Sequence, residues 1–432
     1  MKGEGIESKP EEQLLRPIIY TTKAFYVAIA VLIGTTMWSG YAWWTQLTQG
    51  LVVTGMRDLG VSFGSPWGVY IANFIWYVGI AHGGIAVSAG IRITKLEKYR
   101  PIARMAELLT VITLLMAGLS IVFDLGRPDR IFFMIIYYWD RIGQSPLIWD
   151  LTVIFAYSIL SVTYLYLTMR EDIATYLEKL PRRWRWFYKP FLLGYSPGEK
   201  EKVDQIAWWI AITLIVLMAL LSGGVIPWLF GLMVSQAGWY GAVQGPYFLT
   251  AALVSAISGI IIIASIIRRL FRWEKQIKPE IFKGLGTILA VLTVIYLWFI
   301  LHEQLTIRYA GPTTELAISD ALLMGSFSPI YWTMLIVGLI LPFIYLAIQA
   351  IYPKVFSLKG TVISAILILV ALWVKRFLLV VISLLYPRLP YPVGSYTPTW
   401  VEWSLVLGTL AIASLLYIVF IKIYPIIELK RS

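Results

Sequence analysis

His82 is one of only two histidines in the chain, and it stands in the run Phe74-Ile75-Trp76-Tyr77-Val78-Gly79-Ile80-Ala81-His82-Gly83-Gly84. An imidazole titrates near neutrality, so it can bond a carbonyl oxygen and exchange a proton with it. Trp76, Tyr77 and Gly79 read as an aromatic wall and a notch beside it. The small residues around His82 let a neighbouring helix, or a flat ring, come close. This chemistry suits a quinone-like carbonyl. The alternative is a core histidine bonded to a neighbouring helix.

Asp124 opens the segment Asp124-Leu125-Gly126-Arg127-Pro128-Asp129-Arg130, in which Gly126 and Pro128 stop a helix. Arg127 either pairs with Asp124 or docks a partner, whereas Asp129 and Arg130 read as a solvated helix end. Asp150 follows Pro146 and Trp149 at the start of another apolar run. In a first helical turn a carboxylate gains roughly 0.3–1 kcal/mol from the helix dipole. Facing a bundle interior near Asp124 and His82, it would instead complete an acid–base pathway. His82, Asp124 and Asp150 are therefore the candidate catalytic residues, and Trp76, Tyr77, Gly79 and Trp149 join them as a candidate cofactor wall.

A second group holds His302, Glu303 and Gln304, with Lys375 and Arg376 midway along a later run. A charge at mid-membrane costs at least ~2.5–3.5 kcal/mol, so a buried cation needs an anion. Glu303 and Glu402 are the candidate anions for Arg376. A structural ion pair and a proton relay fit this group equally well. Glu402, in Tyr396-Thr397-Pro398-Thr399-Trp400-Val401-Glu402-Trp403, either joins it or caps its own helix.

Ten apolar stretches must position these groups: 24–47, 66–92, 103–124, 146–169, 206–230, 245–267, 284–307, 328–351, 360–386 and 398–424. Each reaches the ~20 residues that span a bilayer core of ~30 Å as a helix. The chain is 59% hydrophobic with a mean hydropathy of +0.75, far from the composition of a soluble domain. The expected fold is all-α and integral to the membrane, with about ten transmembrane helices. Spans 2–5 (66–230) and 6–9 (245–386) form two four-helix bundles. Helices 24–47 and 398–424 flank them, with tails 1–23 and 425–432.

Internal similarity supports that division. Pro66-Trp67 and Pro246-Tyr247 open the second and sixth spans, and Ser145-Pro146 and Ser328-Pro329 open the fourth and eighth. The paired prolines are offset by 180 and 183 residues. A shift of four helices preserves orientation, so the copies are parallel repeats. The second copy has Thr333 in place of Asp150 and Ile262 in place of His82. Ionisable groups are thus kept in one copy.

The net charge of +12 is an orientation signal. Alternate connections and the two ends carry 28 of the 36 Lys and Arg residues, and the opposite connections hold Arg57, Arg127, Arg130, Arg141, Arg308 and Arg388. The positive-inside rule puts both termini in the cytoplasm and predicts a multi-pass protein of the cell membrane. The base attracts anionic lipid head groups rather than nucleic acid. The absence of cysteine excludes iron–sulfur clusters in this chain,. The two histidines lie at different depths, which disfavours a bis-histidine haem. No phosphate loop, dinucleotide fingerprint, zinc-protease motif or nucleophile elbow occurs.

At these residues the chain resembles the polysulfide reductase membrane subunits, the NrfD/PsrC family. The resemblance rests on Trp76 to Gly84, Asp124 to Pro128, Pro146 to Asp150 and Tyr396 to Trp403. Ten spans are similar to the longer members, including membrane subunits of alternative complex III. The resemblance implies a haem-free quinone-binding anchor of a respiratory complex. Menaquinone or a similar quinone would bind near an extracytoplasmic iron–sulfur subunit, itself joined to a molybdopterin catalytic or cytochrome subunit. It carries His82, Asp124 and Asp150 over as quinone and proton residues, with His302, Glu303, Lys375, Arg376 and Glu402 as proton-path candidates. Two other readings stay open on the residues alone. A secondary transporter would show uptake in liposomes without a redox partner, and a passive anchor would neither bind nor turn over quinone.

Overall fold

The computed structural model describes residues 14–56, 65–233, 236–239, 241, 243–388 and 392–428. Arg57, residues 1–13 of the first tail and the last four residues of the 425–432 tail lie outside them. Among the described residues, ten helices are long and apolar enough to cross a bilayer. They are α1 Lys23–Gln49, α2 Val69–Ile93, α3 Arg100–Asp124, α4 Pro146–Thr175 and α5 Lys200–Gly231. The rest are α6 Gln244–Phe271, α7 Pro279–Ala310, α8 Ser328–Ile351, α9 Leu358–Leu385 and α10 Trp400–Ile423. No strand occurs among the described residues. The chain is the all-helical, multi-pass membrane protein that its apolar runs predict. Proline stands in the first turn of α3, α4, α7 and α8, where its missing N–H costs no helical bond.

Two spans carry prolines deeper inside, and both answer them in the same way. In α5, Leu221–Val225 is a π turn just before Pro227. In α8, Ile336–Ile340 is a π turn just before Pro342. A helical proline clashes with the carbonyl four residues back, here that of Gly223 or Gly338. Widening one turn to π geometry makes room for the ring without breaking the span.

Helices α2, α3, α4 and α5 contact one another in a closed ring, as do α6, α7, α8 and α9. The rings meet chiefly where α2 lies along α6. There Gly83 has no space for a side chain, because a Cβ would stand 2.4 Å from the carbonyl oxygen of Ala252 and 2.5 Å from the Ala256 methyl. Gly84 fits against Thr110 of α3 in the same way. The small residues flanking His82 therefore serve close helix crossings, which hold membrane helices together by packing where lipid gives no hydrophobic drive. Asn73 adds polar ties from α2, donating to Ser120 of α3 and Thr409 of α10, both at 3.1 Å, and accepting from Trp373 of α9 at 3.3 Å. Helix α1 packs on α10, where Gly408 meets Ser39. Only 6% of the most apolar stretch of α1 is buried, against 67% for α2, α3 and α6, so α1 is mostly a lipid-facing helix.

The segment after α10 closes the basic end of the α2–α5 ring. Arg104 of α3, 1% exposed, donates to the carbonyls of Pro425 and Ile427 at 3.1 and 3.2 Å and pairs with Asp172 of α4 at 2.8 Å. Glu428 pairs with Arg100 and, at 3.7 Å, with Arg92. Burial favours the protonated Glu428 carboxyl, but Arg104, Arg100 and Arg92 outweigh it and hold its pKa below the ordinary 4.5. A lowered native pKa means that the pairing is fully present above about pH 4.5 and is lost as the pH falls through the native value. Protection of the amides across Tyr424–Glu428, taken relative to the intrinsic exchange rate at each pH, is therefore expected to fall on acidification. In Glu428→Gln that protection should already be low at pH 7 and change little with acid. Equal protection in both proteins at pH 7 would show that the carboxylate does not fasten the segment.

Candidate functional site

One face of α4 carries Asp150, Tyr157 and Ser161, seven and eleven residues apart. At about 100° per residue Tyr157 and Ser161 fall roughly 20° to either side of Asp150. All three are at most 2% exposed, and Asp150 Oδ1, the Tyr157 hydroxyl and the Ser161 hydroxyl make no hydrogen bond. Opposite them, His82 of α2 is 1% exposed and its ring meets the Tyr157 ring edge to face, with centroids 4.8 Å apart. His82 Nδ1 lies 2.5 Å from the Ser222 hydroxyl, in the π turn of α5. Its Nε2 makes no hydrogen bond among the described residues. Unpaired buried polar groups are costly, each worth ~1–3 kcal/mol. Several of them on one interior face mark a place built to receive a polar partner.

The stripe continues toward the basic face. The Tyr164 hydroxyl accepts from Arg92 Nε at 3.0 Å. Glu107 of α3, 2% exposed, accepts from Ser88 at 2.7 Å and from Thr168 at 2.8 Å. Glu107 and Tyr164 also line a cavity of about 160 Å³ that contains Arg92, Asp204 and Glu428. Polar side chains thus recur along α4 from the level of Tyr157 toward the basic end of the ring.

The other first-copy candidates lie elsewhere. Trp76 donates to the Leu369 carbonyl of α9 at 3.0 Å, and Tyr77 bonds Thr409 of α10 at 3.2 Å. Both point away from His82. Gly79 faces Ala252 and Ser255 of α6. Trp149 donates to the Ile142 carbonyl and ties the α3–α4 connection to α4. Asp124 is half-buried and acts with Glu402 on Tyr70, on the side of α2 that faces α1 and α10. The Tyr70 hydroxyl donates to Gln46 at 2.8 Å, and Gln46 donates to the Phe123 carbonyl at 2.6 Å. Arg127 pairs with Asp129 through two bonds of 3.0 and 2.9 Å rather than with Asp124. That pairing holds the exposed Asp129 carboxyl below the usual carboxylate range.

Glu402 caps α10. It accepts from the Thr399 amide at 2.9 Å, the Gly55 amide at 2.7 Å and the Tyr396 hydroxyl at 2.6 Å. Burial raises the Tyr396 pKa further above its ordinary value, so it remains a donor. In the second ring, Lys375 of α9 pairs with Glu303 of α7 at 2.7 Å. Arg376 stacks on Phe248 of α6 at 4.0 Å instead of meeting a carboxylate. His302 is half-buried and has no polar partner among the described residues.

Sequence reading passed over Tyr157, Ser222 and Glu107. Tyr157 follows Asp150 by seven residues, a helical repeat that was available. Glu107 is a lone acid in an apolar run, the same signal that singled out Asp150. Ser222 has only an indirect signal, the glycine followed four residues later by proline at Gly223 and Pro227.

Ten apolar helices, with a histidine and an acid buried among them, define a multi-pass membrane protein. The model of the polysulphide reductase, NrfD, family matches residues 59–387, and the chain belongs to that family. It is 26% identical to the membrane subunit of a putative dimethyl sulfoxide reductase of Halobacterium salinarum, over 89% of this chain and 88% of that one. It is 25% identical to a subunit of the selenate reductase of Mesobacillus selenatarsenatis, over 97% and 96%. It is 22% identical to an Hdr-like menaquinol oxidoreductase integral membrane subunit of Archaeoglobus fulgidus, over 93% and 94%.

Proposed function

We propose that this protein binds membrane quinone and exchanges its electrons with an iron–sulfur subunit docked on the face opposite the basic one. The basic face lies in the cytoplasm, and the membrane is the cell membrane. The observation that carries this reading is the buried, unbonded Tyr157 hydroxyl beside His82, with the unbonded Asp150 oxygen two turns along the same face of α4. That donor set fits a ring bearing two carbonyl oxygens. The family membership and the relatives named as reductase and menaquinol oxidoreductase subunits support it.

A quinone supplies two-electron, two-proton chemistry when bound. The chain orients the ring and handles its protons. His82 Nε2 and the Tyr157 hydroxyl bond the ring oxygens. Asp150 lies two turns from Tyr157, about 10 Å along α4, and exchanges protons with the outer face. Ser161, Tyr164 and Glu107 form a route by which protons reach the ring level from the cytoplasmic side. The low exposure of the site keeps bulk water from the ring. Only α4, of which 22% of the apolar stretch is buried, separates this interior from lipid on one flank.

Gentle purification from native membranes, with mass spectrometry of the co-purifying proteins and extraction of lipid-soluble cofactors, tests the reading. An iron–sulfur protein, a large molybdopterin or cytochrome subunit and a bound quinone are expected. A complex that holds together under the same detergent but contains no quinone and turns none over would reduce the chain to an anchor. Solute uptake into liposomes by the chain alone would make it a transporter.

A further inference from the structure

We propose that Ser222 is a positioning residue for His82, presented by the π turn that precedes Pro227 in α5. The proposal rests on the reading of His82 given above.

The Ser222 hydroxyl and His82 Nδ1 are 2.5 Å apart, and both residues are at most 4% exposed. The Tyr157 ring holds the imidazole from another side. With Nδ1 engaged, the ring has one orientation, and Nε2 is the nitrogen left to meet a ligand. A serine hydroxyl can donate or accept. It therefore satisfies Nδ1 in either neutral tautomer without turning the ring. A backbone carbonyl in its place would accept only, and would fix the proton on Nδ1. With serine, Nε2 can present an N–H to a carbonyl oxygen or a lone pair to a hydroxyl. Those are the oxygen groups of the oxidised and reduced forms of a quinone. The bond between Ser222 and Nδ1 runs in opposite directions in the two tautomers.

The second observation is the backbone. Pro227 cannot donate to the Gly223 carbonyl, the residue next to Ser222. Helix α6 closes on that carbonyl, since a Cβ at Gly245 would stand 2.5 Å from it. The widened turn is thus fixed from both sides. Helix α8 provides an internal control. It has the same π turn and the same glycine-to-proline spacing at Gly338 and Pro342, but the residue before the glycine is Val337. The turn is a structural device common to both helices. Only in α5 does it carry a hydroxyl, and only there does it face a histidine.

The test uses the intact complex and a short-chain naphthoquinone, comparing Ser222→Ala, Ser222→Thr, His82→Ala and the Ser222→Ala/His82→Ala pair. Ser222→Ala is expected to lower kcat about tenfold, the worth of one misdirected hydrogen bond in the transition state. Assembly, read by subunit stoichiometry and activity toward a soluble partner dye, should stay intact. Ser222→Thr should restore most of the loss, and Ser222→Ala should change nothing in the His82→Ala background. If Ser222→Ala matches the wild type while His82→Ala is impaired, the positioning role is wrong and the His82 site stands. If the Ser222→Ala loss persists in full without His82, or threonine fails to rescue it, Ser222 acts through packing and the proposal falls. If His82→Ala is itself unimpaired, the site reading fails, and this proposal with it.

Discussion

Replacing His82 with alanine is expected to lower quinone turnover by the intact complex at least 100-fold, within the ~10²–10⁴ range of a positioned acid–base group. The expectation comes from placement. His82 is the one imidazole in the α2–α5 ring, its Nδ1 is held by Ser222, and the Tyr157 hydroxyl and Asp150 Oδ1 are among the buried atoms without partners there. Alanine also strips Ser222 of its partner at a cost of ~1–3 kcal/mol. Stability and catalysis must therefore be separated. Electron transfer between the partner subunits and a soluble dye should survive, and so should subunit stoichiometry. Wild-type quinone kinetics in His82→Ala would remove the centre of the proposed site. An unchanged KM with a collapsed kcat would identify the imidazole as a transition-state group rather than a binding one.

Glu303→Ala is expected to destabilise the protein by ~3–5 kcal/mol, because it leaves the Lys375 ammonium buried without its anion. Lys375 is 3% exposed and its charge faces the Tyr247 ring at 5.7 Å, a weak substitute for a carboxylate. Replacing both partners by apolar residues of similar volume, Glu303→Leu with Lys375→Met, should recover most of that loss, since a buried pair gains little over good apolar packing. Thermal unfolding in one detergent measures both. The double variant also separates the two roles open for this group. Normal stability with normal proton uptake during turnover would make it a structural pair. Normal stability with lost uptake would make it part of a relay. If Glu303→Ala unfolds at the wild-type temperature, the pair is not what holds α7 to α9.

Depth in the membrane was legible in the sequence, and direction around each helix was not. The ten spans follow from uninterrupted apolar length, which the bilayer forces on any helix that crosses it. His82 and Asp150 stood out because an ionisable group inside such a run is expensive. In the sequence Trp76 and Tyr77 are neighbours of His82. Six and five residues of helix turn them roughly 120° and 140° away from it, toward α9 and α10. Asp124 has a depth like that of Asp150 but faces α1 and α10. Glu402 has the capping geometry that its position after Thr399 allows. Ser222 could not be placed without knowing that Pro227 is answered by a π turn, which rotates the first part of α5 relative to its last turns. Arg376 was expected to need a carboxylate, and an aromatic face took that place, an exchange that cation–π attraction makes tolerable in a desolvated site.

The partners of Arg104 impose an order on biosynthesis. Two of its acceptors, the carbonyls of Pro425 and Ile427, lie 321 and 323 residues downstream. At ~5–20 residues per second a ribosome needs roughly 15–65 s to cover that stretch. Asp172 and the Thr168 carbonyl, 2.8 and 2.6 Å from Arg104 Nη2, are made within the first quarter of it. Helix α4 therefore supplies the first partners of the guanidinium, and the far segment adds its carbonyls once translated. A ribosome stalled between those two points would leave a half-satisfied arginine at the membrane boundary, a mark that quality-control proteases could recognise.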